Sequence, residues 1–142
     1  YPQVIPLQFS GIPVKSPGSY MTTKDDKPLV VGVVGLCGSG KSTLIKNLRQ
    51  AQVPYQLHHI AQEHSYVPTM WNRLVHPDVL IFLDASFEVT LQRRNLNWSL
   101  AEYQEQQRRL SNARQCSNLY ILTDPLTPHE VLGKVLQFLA SI

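Results

Sequence analysis

The sequence predicts an α/β fold: a three-layer α/β/α domain around a mostly parallel sheet of four or five strands. Three observations predict it. Continuous apolar runs of strand length alternate with segments of helical period. A glycine-rich loop lies directly between the first such run and the first helical segment. The chain closes on a strongly striped helix. Strands alternating with helices require parallel pairing through right-handed crossovers.

Taken in order, residues 1–28 carry Pro2, Pro6, Pro13, Pro17 and Pro28 and no helical period. They read as an extended N-terminal arm, with the domain proper over 29–142. Residue 1 is not Met, so residues 1–20 read equally as a leader or remnant before Met21. The arm also holds Val4, Ile5, Leu7, Phe9, Ile12 and Val14, more apolar surface than a solvated tail carries. It is therefore expected to dock on a surface, with arm exchange giving a homodimer.

"LVVGVV", residues 29–34, is apolar without alternation, as a strand buried on both faces should be. Lys41 to Gln50 reads as a helix with Leu44, Ile45 and Leu48 on one face, ended by Val53-Pro54. Tyr55 to Glu63 reads as a second strand, followed by an irregular stretch with one helical turn near Trp71. "DVLIFLDAS", Asp78 to Ser86, is another buried strand, and Phe87 to Asn95 a short helix. Ser99 and Glu102 have capping-box spacing and open a helix to about Arg114. Leu119 to Asp124 reads as a strand. Thr127 and Glu130 form a second capping box, with Pro128 at the first helical position. Val131, Leu132, Val135, Leu136 and Leu139 then stripe the last helix.

Composition narrows the function classes. Of 142 residues, 43% are hydrophobic and 16% charged, which is globular rather than disordered. No apolar run reaches the roughly 18 residues of a membrane span, and no membrane partner is expected. The formal charge of +3 suits phosphate ligands, but no Lys/Arg run exceeds two residues, so nucleic-acid binding is not expected. Two cysteines, Cys37 and Cys116, give no disulfide framework, and a reducing, cytoplasmic setting is expected.

The chemistry-bearing motif is "GLCGSGKST", Gly35 to Thr43. Gly35-x4-Gly40-Lys41-Ser42 matches the Walker A pattern in full, with a strand before and a helix after. Its glycines let backbone N–H groups turn inward around phosphate oxygens. The helix beginning near Lys41 aims its positive end at the same anion. Lys41 supplies charge to the β- and γ-phosphates, Ser42 a hydroxyl to Mg²⁺, and Thr43 lies nearer the α-phosphate. Cys37, Gly38 and Ser39 contribute backbone N–H groups. Nucleoside triphosphate with Mg²⁺ is thus the expected ligand, and Lys41→Ala is expected to abolish its binding with the fold intact.

These residues resemble the P-loop nucleoside triphosphate hydrolase superfamily, and more narrowly its small kinases of the shikimate, gluconate and nucleotide kinase type. "PDVLIFLDAS", the following helix ending in Arg93 and Arg94, and the C-terminal strand and helix are similar to the corresponding kinase segments. The resemblance implies ATP as donor, Arg93 and Arg94 as lid arginines over the transferring phosphoryl group, and Asp124 and Pro125 beside the adenine. Residues 51–77 and 95–98 are shorter than the kinases' acceptor-binding and lid segments. A small acceptor, a partner-supplied site or a non-kinase role follows from that shortening.

Two acids compete for Mg²⁺. Glu63 follows the strand expected nearest the loop, whereas Asp84 ends the stronger strand and could instead cap the next helix. Glu63 is also a candidate for orienting an acceptor hydroxyl or a water. His58, His59 and His64 do not make a metal set by themselves, since adjacent strand histidines point to opposite faces and no neighbouring cysteine or aspartate completes one. The function expected is a small kinase transferring the γ-phosphoryl group of ATP–Mg²⁺ to a small-molecule acceptor. A nucleotide-dependent switch or regulatory ATPase/GTPase acting through a protein partner is the alternative.

Overall fold

A computed structural model describes residues 28–93 and 97–142. The arm over 1–27, with the docking expected of it, lies outside the described residues, as do Arg94 and the first two residues of the short lid, Asn95 and Leu96. Four strands form one parallel sheet: β1 (Val30–Gly35), β2 (Gln56–His59), β3 (Val79–Asp84) and β4 (Leu119–Leu122), in the order β2-β1-β3-β4. All three pairings are parallel, with Val33 opposite both His59 and Ile81. The expected three-layer architecture is present, with four strands.

Helices cover both faces, which is why β1 and β3 read as unbroken apolar runs. Successive strand side chains alternate between two cores. Val31, Val33, Val79, Ile81 and Leu83 join Leu44, Ile45 and Leu48 of α1 (Lys41–Gln50) and Val131, Val135 and Leu139 at the other end of the chain. On the opposite face Val34, Leu80 and Phe82 meet Ile60, Trp71, Leu110 and Ala113. The second face is built by α2 (Met70–Leu74), α4 (Leu100–Arg109) and α5 (Ser111–Cys116). A short α3 (Phe87–Arg93) follows β3, and α6 (Pro128–Ala140) closes the chain.

Both capping boxes form: Ser99 Oγ accepts from the Glu102 N–H while Glu102 Oε1 accepts from the Ser99 N–H, and Thr127 and Glu130 repeat the exchange. Two elements differ from the sequence reading. The second strand stops at His59 rather than Glu63: the Ile60 N–H makes one more bond to β1, Ile60 enters the core, and Gln62–His64 becomes a 3₁₀ turn. The helix expected to run to Arg114 divides at Leu110, which leaves α4 and α5 separate while its own side chain is fully buried.

Candidate functional site

Gly35 to Gly40 form a tight loop from the carboxyl end of the central strand to α1. Gly38 and Gly40 have φ of 82° and 103°, backbone that L side chains rarely adopt. At Gly35 a Cβ would stand 2.1 Å from the Leu83 carbonyl oxygen, so only glycine fits. Ser39 Oγ donates to the Leu36 carbonyl at 2.7 Å, which ties the loop across its own waist. Gly38 rests on Thr90 of α3. Ser42 and Thr43 are exposed at the start of α1, with their backbone N–H groups in its first turn.

Lys41 is only 6% exposed. Its ammonium donates to the Gly35 carbonyl at 2.7 Å and the Leu36 carbonyl at 2.9 Å, and pairs with Glu63 Oε2 at 3.0 Å. All three of its donors are therefore engaged within the loop mouth. Glu63 is as buried as the lysine, and its second oxygen, Oε1, is buried without a hydrogen-bond partner. A buried unpaired carboxylate oxygen is costly, and a donor or a cation would relieve that cost.

The 3₁₀ turn that carries Glu63 is pinned by its neighbours. Gln62, with no exposed surface, accepts from the Trp71 N–H at 2.8 Å and donates to the Val67 and Arg109 carbonyls. Arg109 donates to the Glu63 carbonyl at 3.2 Å, pairs with Glu105, and lies over the Tyr66 ring. His59, at the end of β2, has its pKa lowered by burial and by Lys41, with Glu63 opposing.

Asp84 ends β3 and points to the sheet face that α4 and α5 cover. Oδ1 accepts from the Ala85 N–H and Gln107, and Oδ2 from the Tyr120 hydroxyl at 2.6 Å and Arg114 at 3.3 Å. Both oxygens are satisfied. Burial and the bond to Asp84 push the Tyr120 phenol up to about 12. The Asp84 carboxylate thus serves a polar network between β3, β4, α4 and α5. It does not cap α3 as foreseen: Ser86 Oγ accepts from the Val89 N–H at 3.3 Å in that place.

Arg93 donates to the Thr123 hydroxyl and carbonyl. That hydroxyl donates to the Ser39 carbonyl at 3.1 Å, so Arg93 is linked to the loop through Thr123. Asp124 Oδ1 accepts from the Ser86 N–H, which joins the ends of β3 and β4. Pro125 lines an open groove of about 650 Å³ between β4 and α6, to which no loop residue contributes. Tyr103 packs edge to face with both Phe87 and Trp98.

Comparison with models of known protein families gives no match, and comparison with curated proteins gives none either. The site's own geometry carries the functional reading.

Sequence reasoning missed two contributors. Gln106 of α4 accepts from the Cys37 N–H at 3.1 Å and donates to Cys37 Sγ at 3.3 Å, gripping the loop from the sheet's other face. Only the fully buried Leu110, four residues on and sharing its helix face, hinted that it turns inward. The second is the approach of Cys37 to His64 at 3.9 Å. No sequence neighbour completed a histidine set, but the fold brings a cysteine from 27 residues away.

Proposed function

We propose that the chain binds ATP–Mg²⁺ at Gly35–Thr43 and transfers the γ-phosphoryl group to a small-molecule acceptor. The observation that carries the reading is a buried Lys41, at the centre of a left-handed glycine loop, paired with an acid whose second oxygen is open. The loop's backbone conformation suits an anion ringed by N–H groups. Gly35 and Leu36 carbonyls and Glu63 hold the Lys41 ammonium at the mouth, from which a short swing reaches a phosphate.

Ser42 and Glu63 would hold the Mg²⁺. The hydroxyl is exposed at the right helix position, and Oε1 of Glu63 is the open oxygen. Asp84 is less suited, because both its oxygens are already engaged by Ala85, Gln107, Tyr120 and Arg114. Held by Ser42 and Glu63, Mg²⁺ would supply charge neutralisation for the phosphates. Glu63 and His59 lie at the strands' carboxyl edge, where open α/β sheets bind ligands, and an acceptor there would meet an acid and a largely neutral imidazole. Arg93, reached through Thr123, is a positioning residue for the loop, and it would need to leave Thr123 to touch a phosphoryl group.

The switch reading has its own support. Gln62 and Arg109 wire the Glu63 turn to α4, so a change at Glu63 is transmitted to the exposed Tyr66 and to α4. No described helix is long and apolar enough to cross a membrane, and a cytoplasmic setting fits the free Cys37 and Cys116.

Phosphoryl-transfer assays with ATP and Mg²⁺ against nucleosides, sugars and small acids test the reading. One acceptor should raise ATP consumption sharply. Slow hydrolysis insensitive to every metabolite but changed by a protein partner supports the switch. No nucleotide-dependent thermal shift, with or without Mg²⁺, removes both.

A further inference from the structure

The loop's cysteine is not a passive spacer. Cys37 Sγ, a carboxylate oxygen of Glu63 and the ring nitrogen of His64 lie within 4.8 Å of one another. His64 Nε2 is 3.9 Å from Cys37 Sγ and 3.7 Å from Glu63 Oε2. Tetrahedral zinc, with Zn–S about 2.3 Å and Zn–N and Zn–O about 2.0 Å, places S and N about 3.5 Å apart and N and O about 3.3 Å apart. Contractions of about 0.4 Å would bring His64 Nε2 to ligand spacing from both Cys37 Sγ and Glu63 Oε2. His64 can supply them, since its side chain is 61% exposed and free to turn.

The independent pointer to a cation is Glu63. Its side chain is 5% exposed and its Oε1 has no partner. Lys41 pairs with Oε2 and nothing pairs with Oε1, so the carboxylate keeps acceptor capacity for a cation. Around the thiol, Gln106 donates an N–H to Sγ at 3.3 Å, the outer contact that orients and supports a metal-bound thiolate. Charge also balances. A thiolate and a carboxylate offset a divalent ion, with Lys41 as the one cation within salt-bridge distance of Glu63 besides His64 among the described residues.

We propose that Cys37, Glu63 and His64 form a site for a thiolate-binding divalent cation of the zinc class, with water as fourth ligand, and that its occupation opposes nucleotide binding. On binding, the Cys37 thiol loses its proton to solvent and its sulfur pair forms the metal–sulfur bond, while His64 enters neutral. A soft sulfur ligand favours zinc over Mg²⁺. The opposition to nucleotide rests on the reading that Glu63 serves the nucleotide's metal. One carboxylate cannot serve both ions, and the metal would hold the phosphate loop by its cysteine.

The test titrates the full chain with Co²⁺ as a visible substitute, then with Zn²⁺. One Co²⁺ per chain should bind with a sulfur-to-cobalt charge-transfer band that Zn²⁺ abolishes. Cys37→Ser should lose the band. His64→Ala, a change at an exposed side chain, should weaken binding at least about tenfold. Cys116→Ser should change nothing, because Cys116 is an exposed thiol remote in sequence from the cluster. Absence of the band in the parent chain, its persistence in Cys37→Ser, or undiminished affinity in His64→Ala overturns the site.

A fluorescent ATP analogue with Mg²⁺ tests the antagonism. Zn²⁺ should weaken its binding in the parent chain at least about tenfold and leave His64→Ala much less affected, which also controls for chelation by the nucleotide. Equal effects on both proteins overturn the antagonism. A cobalt band without any nucleotide binding upholds the metal site and removes the nucleotide reading.

Discussion

Lys41→Ala is the substitution that the loop motif alone makes look simple. The helix accepts alanine, and the loss expected is of phosphate affinity. The structure adds a stability cost. Lys41 and Glu63 are 6% and 5% exposed in their side chains and 3.0 Å apart. Deleting one partner of a buried pair costs roughly 3–5 kcal/mol, because the other charge is stranded. Here the stranded carboxylate already has an unpaired oxygen, and the His64 ring at 3.7 Å is its nearest remaining side-chain partner.

Neutralising the acid limits the cost. Protonating an ordinary glutamate at pH 7 takes about 3.7 kcal/mol, so that sets the ceiling on the charge penalty. The ceiling falls by about 1.4 kcal/mol for each pH unit of acidification. In the variant the folded protein holds that proton more tightly than the unfolded chain, so its stability is lost as pH rises. Urea unfolding of parent and variant at pH 7 and pH 5.5 measures this, with m values compared to keep the states alike. The deficit should be about 3 kcal/mol at pH 7 and shrink by up to about 2 kcal/mol at pH 5.5. Adding Glu63→Gln to the variant should recover most of it at pH 7. A pH-independent deficit, or a double variant no more stable than Lys41→Ala, would refute the buried-charge account.

Glu63→Gln should reduce Mg²⁺-dependent turnover far more than metal-free nucleotide binding, and nucleotide titrations with and without Mg²⁺ check it. Asp84→Asn should instead act on stability, since it weakens charge-assisted bonds to Arg114 and Tyr120 worth about 1.5–3 kcal/mol each at most; chemical denaturation reads the loss. Gln106→Ala should cost roughly 1–3 kcal/mol of stability, from two lost contacts to Cys37 and a small cavity, and weaken nucleotide binding by loosening the loop. Tyr120 has its phenol raised to about 12 against about 10 in the unfolded chain, so its contribution is intact below pH 10 and lost as pH rises toward 12. Tyr120→Phe should flatten the decline of stability across that alkaline window in pH-dependent melting curves.

Much of the fold was legible because its signals are local. An apolar run without alternation means a strand covered on both sides, and β1 and β3 have that covering. Serine or threonine three residues before glutamate exchanges two hydrogen bonds within one turn, and both boxes form. The glycine loop was legible because the positive φ of Gly38 and Gly40 favours glycine whatever surrounds it. The end of β2 was not legible. Nothing in "HHIAQE" says that Ile60 turns into the core and the next residues curl, since Gln62's partners lie in α2 and α4.

The sequence by itself determined the glycine-loop backbone, the parallel alternation and the two striped faces, because each depends on residues within a few positions of one another. Tertiary structure alone decided which acid meets Lys41. Glu63 and Asp84 both end strand-like runs, but period-2 alternation sends the Asp84 side chain to the face of Leu80 and Phe82, where Arg114 and Tyr120 occupy it. The 3₁₀ turn instead carries Glu63 back to the loop mouth. Tertiary structure alone also joined Cys37 to Gln106 across 69 residues and to His64 across 27. Side-chain contacts at such separations depend on how whole elements pack, and no local spacing encodes them.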